Sequence, residues 1–269
     1  MEKNEQISFL SDENEKLEDF QQIYNDNLKV KYGDIFKLGN HRLMCGDATN
    51  KKDVKMLLNN NEINMSFTDP PYNVKYTGGI QIKNGNFVKN NRNMIKNDDI
   101  DIYDKVFEQL SLFCNGPCYI WFADTKAKKL YIYAEKYGDI HSLIIWEKNG
   151  GYGALNANYK QKHEPCLYWK PKGKKLNFIG KSNESTIWKI NKDGNNKLHP
   201  TQKPVKLALK AINNHKAKNI LDLFGGSGST LIACEIAKRN CFMMELDPQY
   251  IKIIIRRWEN YTGGTYERY

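Results

Sequence analysis

The sequence predicts an α/β fold built on a parallel β-sheet, and two observations lead to this prediction. Short apolar runs alternate with segments of helical periodicity from residue 63 onward, an order typical of parallel strands joined by helices. Residues 219–240 then read as a strand, a glycine-rich turn and a helix. The chain has 269 residues, enough for one large domain or two small ones. No apolar run is long enough to predict a membrane span.

The predicted elements begin with an acidic N-terminal helix or tail over residues 1–30. A β-hairpin follows over 34–47, where two short apolar runs flank Gly39-Asn40. The later elements are a helix at 52–60, a strand at 63–68, a helix at 102–113, a strand at 118–124, a helix at 126–136, a strand at 141–148, a hairpin strand at 164–169, a helix opened by Pro204, the segment 219–240, a strand within 241–248 and a helix at 248–261. Residues 77–99 are rich in Gly, Asn and Lys without a period, so we expect a long loop that is functional or disordered.

Charge is distributed unevenly along the chain. Residues 1–30 hold eight acidic residues against three lysines, a net charge of −5, and the total is +10, so the remainder carries +15. A basic body favours a polyanionic partner, above all nucleic acid. A lysine-rich surface from an AT-biased genome is the alternative, and charge alone does not decide between them. The acidic, polar N-terminus does not predict a secretory signal.

The six cysteines lie in or beside apolar runs, at positions 45, 114, 118, 166, 234 and 241. No pair has Cys-x-x-Cys spacing, and the pair Cys114 and Cys118 has no second half. This pattern predicts reduced, buried thiols in a cytosolic protein rather than a zinc site or disulfides.

The first informative motif is Asp69-Pro70-Pro71-Tyr72, which ends the strand predicted at 63–68. An ordinary strand-ending turn favours Gly or Asn. Two prolines instead stiffen the chain and remove two N–H donors. The motif therefore presents a carboxylate, two backbone carbonyls and an aromatic face in a fixed arrangement with few donors.

The second motif is the glycine turn between the strand and the helix of residues 219–240. Such a junction directs backbone N–H groups and a positive helix end towards an anionic ligand group. The spacing fits neither a dinucleotide fingerprint, whose third glycine falls at Leu231, nor a P-loop, which requires Gly-Lys-Ser/Thr where Thr230-Leu231 stands. Glu245 ends the next predicted strand, where an acid would bind ribose hydroxyls. A tight turn without a ligand would need fewer small residues.

The third motif, His199-Pro-x-x-Lys203-Pro, stands immediately before a predicted helix. A lysine beside a helix N-terminus suits a carboxylate, although the stretch alone would equally fit a loop closed by a proline cap.

Together, Asp69-Pro-Pro-Tyr72, Asp222-x-Phe-x-Gly-Ser-Gly and His199-Pro-x-x-Lys203-Pro resemble the S-adenosylmethionine-dependent DNA amino-methyltransferases. The order of the motifs resembles their beta group, over roughly residues 33–263. The resemblance implies a Rossmann-like methyltransferase sheet, circularly permuted so that the catalytic motif precedes the cofactor motif. It also implies a catalytic domain at 31–263, with a short target-recognition segment inserted at about 170–198, and a C-terminal tail at 264–269.

The activity implied by the resemblance is methylation of adenine N6 in DNA, of the restriction-modification or prophage type. Asp69, Pro70, Pro71 and Tyr72 would be catalytic. The carboxylate and the Pro70 carbonyl would accept the two amine N–H bonds, while the Tyr72 ring stacks on a flipped-out base. The reaction needs no metal and no covalent intermediate, because positioning and fixed dipoles supply most of the rate.

The resemblance also implies a cofactor site, for S-adenosylmethionine, and a DNA-binding surface. The turn 225–229 with Thr201 and Lys203 would hold the methionine carboxylate, Glu245 the ribose, and Asp47 with Ala48 the adenine. The complete expected cofactor site is Asp47, Ala48, Asp69, Thr201, Lys203, Asp222, Phe224, Gly225, Gly226, Ser227, Gly228, Ser229 and Glu245. The expected DNA contacts are Lys148, Tyr159, Lys172, Lys174, Lys175 and Lys181. A cytoplasmic, nucleoid-associated protein of bacterial or prophage origin is implied, with a homodimer left open.

Three other functions stay in view. Cytosine carbon-5 methylation would use a Pro-Cys nucleophile, and Pro117-Cys118 and Pro165-Cys166 both exist, but it leaves the Asp69 motif without a role. Cytosine N4 methylation has the same amine chemistry, and Asp rather than Ser at position 69 favours adenine by resemblance. The third is a DNA-binding partner that has the methyltransferase fold but lacks activity.

Overall fold

A mixed ten-stranded sheet forms the centre of the protein in a computed structural model that describes residues 27–72, 80–83, 86–89, 101–152, 158–191 and 203–269. The strands are β1 (Ile35–Leu38), β2 (His41–Cys45), β3 (Met65–Thr68), β4 (Ile80–Lys83), β5 (Asn86–Lys89), β6 (Cys118–Trp121), β7 (Gly138–Tyr152), β8 (Gln161–Pro171), β9 (Ile187–Lys189), β10 (Asn219–Asp222), β11 (Asn240–Glu245) and β12 (Glu267–Arg268). The helices are α1 (Lys51–Leu58), α2 (Tyr103–Phe113), α3 (Ala127–Tyr137), α4 (Val205–Asn213), α5 (Ser229–Ile236) and α6 (Pro248–Thr262).

The order of strands in the sheet is β12-β1-β2-β11-β10-β3-β6-β8-β7-β9. The five strands from β2 to β6 in this order run parallel. Strand β8 is antiparallel to both β6 and β7, and β1 is antiparallel to β2. The prediction of an α/β fold is confirmed, with a parallel centre and antiparallel margins. The arrangement agrees with the Rossmann-like sheet expected from the sequence.

Helices cover both faces of the sheet, which makes three layers. One buried cluster joins one face to apolar residues of α4, α5 and α6, and a second joins the other face to α1, α2 and α3. Within α6 the apolar positions Ile251, Ile254, Ile255 and Trp258 recur at helical spacing and are all buried. The parallel strands are therefore buried on both sides, as in other α/β sheets.

Local signals set the helix boundaries. Helix α1 begins after Asn50, whose side chain accepts from the backbone N–H of Lys52. Helix α6 begins after Asp247, which accepts from Gln249 N, and has Pro248 in its first turn. Its last turn leads to Gly263 at φ 71°, a left-handed conformation that glycine adopts without strain.

Four segments differ from the sequence expectation in their details. The region expected as one long loop contains the two-stranded sheet β4-β5, although other parts of 77–99 lie outside the described residues. The recognition segment contributes β9, which pairs in parallel with β7. The expected C-terminal tail supplies β12, the edge partner of β1. The hairpin strand expected at 164–169 exists and extends over all of β8.

The acidic segment 1–30 falls outside the described residues except for its last four positions. Among the helices that the structure describes, none has the length and apolar character needed to cross a membrane.

Candidate active site

The carboxyl ends of four neighbouring parallel strands bring the predicted motifs together. Strand β2 ends beside β11, with Cys45 paired to Glu245, and β10 lies between β11 and β3. The segments that follow these strands therefore share one edge of the sheet: Asp47 and Ala48 after β2, Asp69 after β3, the glycine turn after β10, and the end of β11. Ligands of open α/β sheets bind at this edge.

Asp69 lies at the centre of a hydrogen-bonded group. Its Oδ1 accepts from the Tyr72 hydroxyl at 2.7 Å, and its Oδ2 accepts from the Lys203 ammonium. Burial raises the pKa of Asp69, and Lys203 opposes this rise. The Asp69 side chain is nevertheless 29% exposed, so part of this carboxylate remains accessible.

Lys203 is an enclosed charge of the site, with only 6% of its side chain exposed. Its ammonium donates to Asp69 Oδ2, to the Tyr72 hydroxyl at 2.8 Å and to Glu164 Oε2 at 3.1 Å. Burial disfavours the ammonium, but Asp69 and Glu164 raise the pKa of Lys203 above its usual value. An ammonium has three donors, so all three are used within this group.

Glu164 of β8 is a member of the site that the sequence motifs did not include. Its second oxygen, Oε1, accepts from the ammonium of Lys148 of β7, whose side chain is 9% exposed. Burial alone would raise the pKa of Glu164, yet Lys203 and Lys148 lower it to about 2. Lys148 was expected to contact DNA, whereas here it is an enclosed partner of Glu164.

The glycine turn between β10 and α5 has the conformation that only glycine adopts easily. Gly226 has φ 51° and Gly228 φ 85°, and a Cβ at Gly228 would lie 3.2 Å from Ile254. Backbone bonds from Gly225 N to Met244 O and from Gly228 N to Gly225 O fix the turn. The start of α5 at Ser229 directs its N-terminus to the same edge of the sheet.

Two carboxylates hold this turn in place: Asp222, which is buried, and Glu245, which is half-buried. Glu245 Oε2 accepts from Gly226 N at 2.8 Å, and its Oε1 accepts from Asp247 N at 2.8 Å. Asp222 Oδ1 accepts from Phe224 N at 3.1 Å and from the Thr68 hydroxyl. Burial raises the pKa of Asp222 and of Glu245 to about 7 each.

Asp47 and Ala48 form a turn beside Glu245. Asp47 Oδ1 accepts from both the N–H and the hydroxyl of Thr49, each at 2.8 Å, and Ala48 is buried. The carbonyl of Glu245 accepts from Gly46 N at 3.0 Å, which ties this turn to the end of β11.

Other predicted site residues lie elsewhere or outside the described part. Thr201 and His199 fall in 192–202, which the structure does not describe. The expected DNA contacts Tyr159, Lys172, Lys174, Lys175 and Lys181 are exposed, and Tyr159 is 91% exposed. They therefore line a surface rather than the site itself.

The cysteines of the two Pro-Cys pairs are poorly suited to nucleophilic attack. Cys118 and Cys166 lie within strands and are fully buried, and burial raises the pKa of both thiols. Carbon-5 methylation requires an accessible thiolate. All six cysteines are free and buried, as the sequence predicted.

The chain is similar in sequence to known proteins. The family model described as DNA methylase (N6_N4_Mtase) matches residues 63–256. The type II methyltransferase M2.MboI of Moraxella bovis is 29% identical over 228 residues, covering 75% of this chain and 82% of that protein.

Two solved structures illustrate the likeness in fold. The M1.HpyAVI–SAM complex superposes with a TM-score of 0.59 at 22% identity, covering 80% of this chain and 98% of that one. The cytosine-N4-specific PvuII DNA methyltransferase has a TM-score of 0.61 at 15% identity, covering 82% and 88%. With more than half of its length matched by the family model, the chain belongs to the DNA methylase family of N6/N4 type.

Proposed function

We propose that this protein transfers a methyl group from S-adenosylmethionine, the cofactor of its family, to the N6 amine of an adenine that is flipped out of duplex DNA. The observation that carries this proposal is the partly open Asp69 carboxylate, which lies at the edge of the sheet where the glycine turn and Glu245 also end. The acceptor for the amine and the proposed cofactor site would thereby be adjacent, as a direct transfer requires.

The chemistry follows from the weakness of the nucleophile. The lone pair of an exocyclic amine is delocalised into the base, so the amine must be drawn towards tetrahedral geometry before it can attack. Asp69 and the Pro70 carbonyl would each accept one N–H, which directs the lone pair at the methyl group. The bond between sulfur and the methyl carbon would break as the bond from nitrogen to that carbon forms, so the positive charge would pass from sulfur to the amine, which then releases one proton to solvent. The fixed dipoles of the site would favour that change.

The cofactor would extend across the strand ends. The N–H groups of the turn 225–229 and the N-terminus of α5, together with Thr201, would hold the methionine carboxylate. Glu245 would accept from the ribose hydroxyls, and Asp47 with Ala48 would contact the adenine ring. The hydrogen bond from Gly46 N to Glu245 O supports this assignment, because it joins the turn proposed to contact the adenine to the strand end proposed to bind the ribose.

The proposed recognition segment is about 170–198, of which the structure describes residues 170–191. Lys172, Lys174, Lys175 and Lys181 are exposed there, and exposed lysines suit phosphate contacts that set the position of a protein on DNA. Sequence-specific contacts to base edges would come from the same segment.

Cytosine N4 methylation is the second candidate, and the likeness to the N4-specific PvuII enzyme favours it. Position 69 supports adenine instead, because by family resemblance Asp at the start of this motif favours adenine, whereas Ser favours cytosine N4.

We expect N6-methyladenine when DNA treated with protein and labelled cofactor is digested and its nucleosides are identified by mass spectrometry. N4-methylcytosine as the sole product would overturn the adenine assignment. Unlabelled DNA would indicate a DNA-binding protein that has the methyltransferase fold but transfers no methyl group.

Tyr72 allows a further test of base stacking. Tyr72→Ala should lower transfer about 10- to 100-fold, because base–aromatic stacking contributes roughly 1–3 kcal/mol. Tyr72→Phe keeps the ring but loses the 2.7 Å bond to Asp69, so we expect a smaller loss. A mispaired target adenine should restore part of the activity of the Ala variant, since extrusion then costs less. If the Phe variant is as inactive as the Ala variant, the hydroxyl rather than the stacking face is essential.

A further inference from the structure

A group of four charged side chains and one phenol surrounds the proposed reacting centre. Two carboxylates, Asp69 and Glu164, alternate with two ammonium groups, Lys203 and Lys148, along one connected line of contacts. Tyr72 bridges the line, since its hydroxyl donates to Asp69 and accepts from Lys203. The four charges sum to zero when all are ionised, so loss of any one leaves an unbalanced enclosed charge.

The position of Lys203 is fixed on every side. Its three donors are directed to Asp69, Tyr72 and Glu164, and its ammonium also lies 5.0 Å from the Trp121 ring centroid and 5.4 Å from that of Tyr72. A bond to the methionine carboxylate would require one of these three contacts to break. The arrangement therefore directs Lys203 to the catalytic carboxylate and not to the cofactor.

We infer that Lys203 and Glu164 are positioning residues of the proposed methyl transfer. Lys203 holds the Asp69 carboxylate charged and oriented towards the amine, and Glu164 fixes Lys203 from its far side while Lys148 balances Glu164. The inference rests on the proposed function, because it concerns the acceptor in that reaction. A carboxylate enclosed beside an apolar sheet would otherwise favour its neutral form, which is a weaker acceptor.

Other titratable groups also face this cluster. They are Cys166 of β8, Asp222 of β10 and Tyr103 of α2, each of which interacts electrostatically with a member of the cluster. None of these three groups can carry a positive charge. Among the described residues, Lys203 is therefore the cation in contact with the Asp69 carboxylate.

The test is the pH dependence of single-turnover transfer to DNA at saturating cofactor. Lys203→Met removes the cation that lowers the pKa of Asp69. The acid limb of the pH–rate profile, where the rate falls as Asp69 is protonated, should therefore move to higher pH. Glu164→Gln removes the carboxylate that raises it, so the limb should move to lower pH. Below the limb the rate changes about tenfold for each pH unit of displacement. The double variant, in which Asp69 and Lys148 again balance, should have a limb between those of the two single variants.

Matched variants separate this role from folding. Lys136→Met removes a lysine from an exposed ion pair with Asp104 and should leave the limb unchanged, and Lys203→Arg keeps the charge and should leave it near its original pH. If Lys203→Met does not fold, as judged by its melting temperature, the limb of Glu164→Gln alone decides. A limb that stays fixed in Glu164→Gln overturns the inference.

Calorimetry of cofactor binding tests whether Lys203 binds the cofactor instead of positioning Asp69. We expect near-normal affinity for S-adenosylmethionine in Lys203→Met. Loss of that affinity at every pH with no displaced limb would assign Lys203 to the cofactor and refute the inference. Failure of the proposed function is distinguishable, because the unmodified protein would then transfer no methyl group to DNA at any pH.

Discussion

Asp69→Ala should lower the rate of methyl transfer by about 100-fold or more while S-adenosylmethionine still binds with near-normal affinity. The carboxylate is the proposed acceptor for one amine N–H, and loss of one positioned hydrogen-bonding group at a reacting centre typically costs 10²–10³ in rate. In the proposed complex the cofactor would be held mainly by the turn 225–229 and Glu245, and the hydrogen bonds described for Asp69 go to Tyr72 and Lys203 instead. Single-turnover kinetics and calorimetry measure the two quantities separately.

Two variants make this result interpretable. Asp69→Asn keeps the size and one acceptor oxygen, so its loss should be smaller than that of the Ala variant. Asp104→Ala removes a carboxylate of similar exposure, paired with Lys136 on the helical face, and should leave transfer unchanged. Full activity in Asp69→Ala would refute the proposed mechanism, whereas parallel losses of cofactor affinity and melting temperature would indicate a structural role.

Much of the fold is predictable because local patterns specify it. The hairpin about Gly39-Asn40, the glycine turn and helix α6 each have apolar spacing and turn chemistry that agree with the final structure. Strand β9 was not predicted, although Ile187 and Trp188 are residue types that favour strands. The run has only three residues inside a polar, basic stretch, and its parallel pairing with β7 cannot be read from so short a pattern.

The candidate site was predictable only in part, because some of its contacts join residues that are far apart in the sequence. Motifs identify Asp69, the glycine turn and Glu245 because each lies at the end of a strand or directly after one. Glu164 lies 92 positions from Tyr72 along the chain, and only the pairing of β8 with β6 brings it near. One signal was available: Glu164 shares a strand face with the buried Cys166 and Tyr168. A charge on a buried face needs a partner, and Lys203 with Lys148 meets that need.

The second large effect is expected at Glu245. Glu245→Gln should weaken binding of S-adenosylmethionine by about 10- to 100-fold at pH 8, since hydrogen bonds to a charged group contribute roughly 1.5–3 kcal/mol. The two oxygens already accept from Gly226 N and Asp247 N, yet each ionised oxygen has a second lone pair that can receive a ribose hydroxyl. The Gln side chain has one such oxygen and would place an NH₂ group against a backbone donor.

The pH dependence of binding separates this role from mere support of the turn. Burial raises the pKa of Glu245 to about 7, so below that pH the free protein carries a neutral carboxyl group that must lose its proton to accept both hydroxyls. Affinity should therefore be constant above about pH 8 and fall about tenfold per unit well below pH 7. Calorimetry at several pH values should find this dependence largely absent in Glu245→Gln, with any remainder due to Asp222, whose pKa is also about 7. An unchanged pH dependence in the Gln variant would show that Glu245 does not bind the ribose as a carboxylate.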